Sequence, residues 1–335
     1  MRLLKTDMLY PLKFKPIYKD KIWGGQKIKS VLGMDYGELP NCGEAWLISG
    51  IDGYQSIVSN GFLAGNQLNE LVEIYMGELV GEKIFEKFGN VFPLLIKIIN
   101  SNDWLSIQVH PDDELAWKRK LGQGKSEMWY ILDADPEAEL ISGFNQDVEL
   151  DSYKNHLDNN TIKDVLNTVE VKKGDVFYIP AGRVHAIGPG CLLAEIQQTS
   201  DTTYRIYDWD RIDASGMKRE LHTEKAHAAI DFNKTKECKT QYECELNNTS
   251  SLVDSKYFIT RLVYADQAVL KNINELDSFV VYMLVEGECI LKFEDSELGM
   301  KMGETVLVPA FVGNLMIEPK EKSKLLEVFI DTSII

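Results

Sequence analysis

Between residues 67 and 88 the apolar side chains Leu68, Leu71, Val72, Tyr75 and Leu79 recur at intervals of three and four with glutamates between them, which predicts an amphipathic helix. A shorter helix is predicted to open at Pro111, with Asp112 and Asp113 where a helix N-terminus favours acids, and to stop near Gly122. From about residue 127 the period shortens. The runs 128–132, 176–180, 192–197, 280–285, 289–293, 305–309 and 325–330 are rich in β-branched and aromatic residues and are separated by Gly, Asp, Asn and Pro. Many short strands with such punctuation predict antiparallel sandwiches or barrels. The longest apolar runs, 92–99 and 279–285, fall well short of the roughly 20 residues of a membrane span and read as buried strands.

A repeat divides the β-rich part. Gly174-Asp175-Val176-Phe177-Tyr178-Ile179-Pro180-Ala181 matches Gly303-Glu304-Thr305-Val306-Leu307-Val308-Pro309-Ala310 at an offset of 129 residues, from 174 to 303 and from 180 to 309. At that offset His185 corresponds to Asn314. The expected organisation is a first domain over 1–235, carrying the chemistry and the helical segment, and a second over 236–335; the polar stretch 234–251 is the linker candidate.

Composition narrows the partners. Among 335 residues, 52 acidic against 36 basic give a net charge of −16, so no basic face for nucleic acid is expected, while a few focused lysines and arginines could still receive a small anion. The five cysteines are scattered and form no CxxC pair, and the start, Met1 to Asp7, is charged too early for a secretory signal. A reducing cytoplasm and no membrane are the expectation.

Three fragments carry possible chemistry. In Ser106-Ile107-Gln108-Val109-His110-Pro111, alternation puts Ser106, Gln108 and His110 on one face of a strand, either a solvated sheet face or part of a site. Gly174, Pro180, Gly182 and His185 form the complete second signature of cupin barrels, in which glycine enters a strand, proline ends its pairing and a second glycine turns a histidine inward. In Gly122-Gln123-Gly124-Lys125-Ser126-Glu127, a P-loop reading fails because Arg119 stands where the first glycine is required, and a helix rather than a strand is predicted before the loop. What remains is Glu127 opening a strand beside Lys125. Together Gln108, His110, Glu127 and His185 offer two imidazoles, a carboxylate and an amide oxygen, a set suited to zinc, with iron, manganese or nickel as alternatives.

With these residues in view, the sequence resembles the type I mannose-6-phosphate isomerases, zinc-dependent double-cupin enzymes. Seven blocks carry the resemblance in order, among them Lys21-Ile22-Trp23-Gly24-Gly25, Cys42-Gly43-Glu44-Ala45-Trp46, Phe92-Pro93-Leu94-Leu95-Ile96-Lys97, Gly124-Lys125-Ser126-Glu127-Met128-Trp129 and Ser200-Asp201-Thr202-Thr203-Tyr204-Arg205. It implies a mainly β double cupin of jelly-roll barrels with a helical segment in the N-terminal half. It also implies one zinc per chain on Gln108, His110, Glu127 and His185, and active-site cations at Lys97, Lys125 and Arg205. The implied reaction interconverts mannose-6-phosphate and fructose-6-phosphate through a cis-enediol; Arg205 and Lys125 would serve oxyanion stabilisation and ring opening, and Lys97 phosphate binding or ligand tuning. The proton acceptor is left open among a lysine of depressed pKa, Glu44 and Asp208. The region 250–335 contains no histidine, so the second cupin is expected to be metal-free. Two alternatives are an iron-dependent cupin dioxygenase and a non-catalytic sugar-phosphate sensor. Oligomeric state is open between monomer and homodimer.

Overall fold

The computed structural model describes residues 9–212 and 216–334; the charged start, residues 1–7, lies outside them. The chain is mainly β and forms two compact units, neither contiguous in sequence. One gathers the described residues up to Ile17, the segment Leu47–Leu94 and everything from Gln241 onward; the other gathers Tyr18–Trp46 and Leu95–Thr240. The helical segment therefore groups with the C-terminal strands, a partition that a single boundary near residue 235 does not express.

The unit built around 95–240 contains two sheets. The first runs in the order Val176–Ile179, Glu127–Ala134, Cys191–Gln198, Leu94–Asn100, Glu44–Ile48 and Ile17–Lys19; the second runs Tyr204–Tyr207, Ile107–Val109, His185–Ile187, Glu139–Phe144 and Leu166–Glu170. Ile187 of the second sheet packs with Trp129, Ile131, Phe177, Ile179 and Leu193 of the first, so the sheets face each other as the walls of a barrel. On the outer face of the second sheet, Ile107, Val109 and Phe144 pack against Tyr153 of the helix Leu150–Asp158. This division matches the predicted alternation, with Ile107 and Val109 on one face and Gln108 on the other.

The remaining unit holds a second barrel. Its sheets run Asn248–Asp254, Ile259–Ala265, Ser323–Phe329, Val280–Glu286, Thr305–Val308 and, facing it, Val269–Asn272, Asn314–Pro319, Glu288–Phe293, Ser296–Lys301. Val280, Leu284, Leu291, Leu315, Ile317 and Phe329 fill the interior. The fold is a double cupin. The repeat is visible in the hydrogen bonds: Gly174 donates its N–H to Ile131 O at 2.8 Å, and Gly303 donates to Leu284 O at 2.8 Å, both glycines at positive φ. On that equivalence Trp129 corresponds to Tyr282, and each ring bonds a buried carboxylate directly across the ladder. Trp129 Nε1 donates to Glu195 at 3.1 Å and the Tyr282 hydroxyl to Glu327 at 2.8 Å. The sequence offset misplaces one residue. Asn314 is exposed while Leu315 and Ile317 point inward, so an apolar side chain, not Asn314, takes the interior position near the start of that strand.

The helix predicted over 67–88 is two helices, Leu68–Val80 and Glu82–Phe88, with Met76 at φ 47° and Gly81 at φ 102°. Gln67 and Glu70 form a capping box at the start of the first. A side chain at Gly81 would collide with the Asp277 carbonyl, so the chain breaks where tertiary packing needs close backbone approach. The shorter predicted helix is Asp113–Lys118, capped by Asp112, whose carboxylate accepts from Leu115 N at 2.8 Å.

Candidate metal centre

The local sequence delivers four side chains to the interior of the first barrel from three strands. Gln108 lies mid-strand, with His185 as its partner on one side and Arg205 on the other. His110 follows at the end of the same strand, and its carbonyl accepts the N–H of Gly182 at 3.0 Å, pinning the turn that leads into His185. Gly182 has φ 90°, as the predicted tight turn requires. Glu127 opens its strand after a loop docked on the Pro111 region: Lys125 N donates to Pro111 O and Gly124 N to Asp113 Oδ1, each at 2.9 Å. A Cβ on Gly124 would clash with the Asp112 backbone, so glycine there permits the docking. The loop is followed by a strand, not a helix, which removes the P-loop alternative structurally as well.

His110, Glu127 and His185 bring one ligand atom each within 4.8 Å of one another, and all three are buried. Glu127 stands 3.5 Å from His110 Nε2 and 3.4 Å from His185 Nε2. The tautomers follow from the partners. His110 Nδ1 meets Thr202 O at 2.9 Å and His185 Nδ1 meets Arg183 O at 2.8 Å; a carbonyl only accepts, so each Nδ1 carries the proton and each Nε2 lone pair faces the cluster. Gln108 places its amide 3.3 Å from His185 Nε2. Burial lowers the pKa of both imidazoles, well below the ordinary value for His110 and to about 4 for His185, so they stay neutral. Burial raises the Glu127 carboxyl to about 7, with Glu195 adding to the shift and Lys125 opposing it. Glu127 Oε1 is buried without a hydrogen-bond partner, and Oε2 is paired with Lys125 Nζ at 3.0 Å. A fully buried carboxylate with one unpartnered oxygen, facing two neutral imidazoles, is the donor chemistry of a divalent cation site, so these residues fit one.

Beside the cluster lies a cleft of about 350 Å³ whose lining includes Gln108 and Lys125 together with Lys97, Arg205, Glu44 and Glu195. Lys125 Nζ is also 3.2 Å from His110 Nε2. The three predicted cations are thus brought to one cavity, but not on equal terms. Lys97 is buried and paired with Glu195 at 2.8 Å. Burial alone would raise the Glu195 carboxyl, yet Lys97 and Lys125 outweigh it and hold the group down to about 2. Glu44 is similar: burial opposes ionisation, and Lys97, Lys21 and the Trp46 indole hold the carboxyl low. Asp208, weighed as a proton acceptor, does not line the cleft; it is buried beneath Arg211 and Arg219.

Sequence reasoning missed Glu195, Arg219 and Lys19, all of which line the cleft. For Glu195 a signal existed, a lone carboxylate inside the apolar run 191–196. Lys19 stands 3.3 Å from the Trp46 ring centroid, and burial above all, with Lys21 and Lys97 nearby, lowers its ammonium to about 8. No local pattern marked Lys19 or Arg219. Among the described residues no helix is long and apolar enough to cross a membrane.

Comparison with known proteins groups the chain with mannose-6-phosphate isomerases. Residues 11–156 match the family model for the catalytic domain of type I phosphomannose isomerase. The chain is 36% identical over 318 residues to mannose-6-phosphate isomerase ManA of Bacillus subtilis, covering 92% of this chain and 96% of the relative. It is 38% identical over 256 residues to a mannose-6-phosphate isomerase of Streptococcus mutans, covering 75% and 78%. The crystal structure of the mannose 6-phosphate isomerase from Bacillus subtilis superposes with a TM-score of 0.84 at 31% identity over 96% of this chain and 99% of that one.

Proposed function

The chain belongs to the type I phosphomannose isomerase family, and on that premise we propose that it interconverts mannose-6-phosphate and fructose-6-phosphate, with one zinc ion held by Gln108, His110, Glu127 and His185. The observation that carries this reading is the convergence of two Nε2 lone pairs, fixed by main-chain carbonyls, on a fully buried carboxylate beside a cation-lined cleft. When bound, a divalent ion of this kind supplies Lewis acidity next to the substrate carbonyl.

The chain's own residues do the rest. Moving a hydrogen from C2 to C1 proceeds through a cis-enediol whose developing oxygen charge needs fixed positive partners. Arg205, one ladder position from Gln108, supplies one such partner. Lys125, within reach of both His110 and Glu127, holds a proton at the substrate oxygen during ring opening. Lys97 keeps Glu195 and Glu44 ionised and so fixes the charge pattern of the wall; engaged with Glu195, it is not the phosphate ligand. A cytoplasmic setting agrees with the free cysteines at 42, 191, 238, 244 and 289.

The test is a coupled assay for fructose-6-phosphate combined with elemental analysis. Chelation should abolish turnover and zinc should restore it. Full turnover by metal-free protein would sink the reading.

A further inference from the structure

One end of the cleft gathers three guanidiniums about a single buried carboxylate. Arg205 and Arg219 both line the cavity, and they lie close enough that Arg219, after burial, is the next cause disfavouring the charged form of Arg205. With Arg211 they make three guanidiniums around one buried carboxylate, Asp208. Asp208 binds Arg211 Nη2 at 2.6 Å and Arg219 Nε at 2.7 Å, and takes a second, shorter contact from Arg219 Nη2. Asp103 stands 3.4 Å from Arg211, and Glu220, whose main-chain carbonyl accepts from Arg205 Nη1 at 2.7 Å, also favours the charged form of Arg205 through its carboxylate. Arg205 Nε is buried with no hydrogen-bond partner. The fork that Arg219 makes with Asp208 through Nε and Nη2 fixes the guanidinium plane from behind and leaves the Nη1/Nη2 edge for another acceptor.

We propose that Arg219, held in place by Asp208, is the specificity-determining residue that binds the phosphate of the sugar substrate. The proposal rests on the reading of the cleft as a sugar-phosphate site. It follows from which donors still face the cavity: Lys97 is buried against Glu195 and Lys21 is 3.4 Å from Glu44, whereas Arg219 lines the cavity with one edge of its guanidinium not used by Asp208. A phosphate dianion matches the planar, two-pronged donors of a guanidinium better than the point charge of an ammonium. Asp208 is thereby a positioning residue rather than a proton acceptor.

The test measures competitive inhibition by inorganic phosphate and by the neutral polyol mannitol in the zinc-loaded parent, Arg219→Ala and Asp208→Asn. Arg219→Ala should weaken phosphate inhibition by on the order of 10²-fold, the size expected for losing a two-pronged charge-assisted contact, while mannitol inhibition changes less than about threefold. Asp208→Asn should weaken phosphate by about tenfold with zinc content intact, and Arg219→Lys should recover part of what Arg219→Ala loses. Unchanged phosphate inhibition in Arg219→Ala, or equal weakening of both inhibitors, would overturn the assignment. If Asp208→Asn does not fold, the two Arg219 variants decide. Should the parent fail to isomerise mannose-6-phosphate, that failure belongs to the activity; titration calorimetry of inorganic phosphate into parent and Arg219→Ala then tests the anion site alone, and equal affinity refutes it.

Discussion

Replacing Lys97 with methionine removes the cation 2.8 Å from Glu195 in a pair whose side chains are only 7% and 4% exposed. Methionine keeps most of the volume, so the loss is electrostatic rather than a cavity. Glu195 is left with the Trp129 indole at 3.1 Å as its hydrogen-bond donor. In the parent its carboxyl is held at about 2 against an ordinary 4.5. Breaking a buried pair by removing one partner costs about 3–5 kcal/mol. Because the folded value lies below the unfolded one, this stability is fully present at neutral pH and is lost only as pH falls from about 4.5 towards 2. In Lys97→Met, burial is opposed mainly by Lys125, the carboxyl moves up, and keeping it ionised costs stability as pH rises. The gap between parent and variant should therefore be widest near neutrality and shrink on acidification. Urea unfolding of both proteins, metal-free, from about pH 8 to about pH 5 measures it, and Lys97→Met combined with Glu195→Gln should regain much of the loss. A neutral-pH gap under about 1 kcal/mol, a pH-independent gap, or a double variant no more stable than the single one would refute the reasoning.

Other outcomes follow from the same geometry. His185→Ala removes an Nε2 donor and should release the metal and abolish turnover, whereas Asn314→Ala, on an exposed face of the second barrel, should leave metal content and kcat near the parent by elemental analysis and assay. Arg205→Ala should lower kcat by on the order of 10² with metal content intact, and a change confined to KM would make it purely a binding residue. Gly81→Ala should cost about 2–4 kcal/mol in denaturant unfolding because φ 102° and the Asp277 carbonyl both oppose a side chain. Gly33→Ala, also at positive φ but with open space around it, should cost about 1 kcal/mol.

What was legible in the sequence was what local rules encode. The polar face of Ser106, Gln108 and His110 follows from a period of two, and the turn before His185 follows from Pro180 and Gly182; both survive because neighbouring strands hold rather than override them. The break in the helical segment was not legible, since Gly81 looks like any tolerated helix glycine until Asp277, nearly two hundred residues away, is placed against it. The repeat was visible, but one turn differs between the halves. Pro180-Ala-Gly-Arg-Val-His and Pro309-Ala-Phe-Val-Gly-Asn leave opposite faces inward, so a constant offset fails after the proline. Arg219 was invisible for a related reason: its significance is a shared carboxylate, and Asp208 is eleven residues away.

The orientation of both cluster histidines is set by Thr202 O and Arg183 O, atoms that every residue type possesses. Point substitutions at 183 and 202 therefore leave the imidazole tautomers in place, and a deep mutational scan should find those two positions permissive while the histidines themselves tolerate nothing. Single-residue insertions or deletions beside them are another matter, because they shift the carbonyl without changing its chemistry. Evolutionary drift at this site is thus constrained by chain length in two short loops more than by the identity of the residues that fill them.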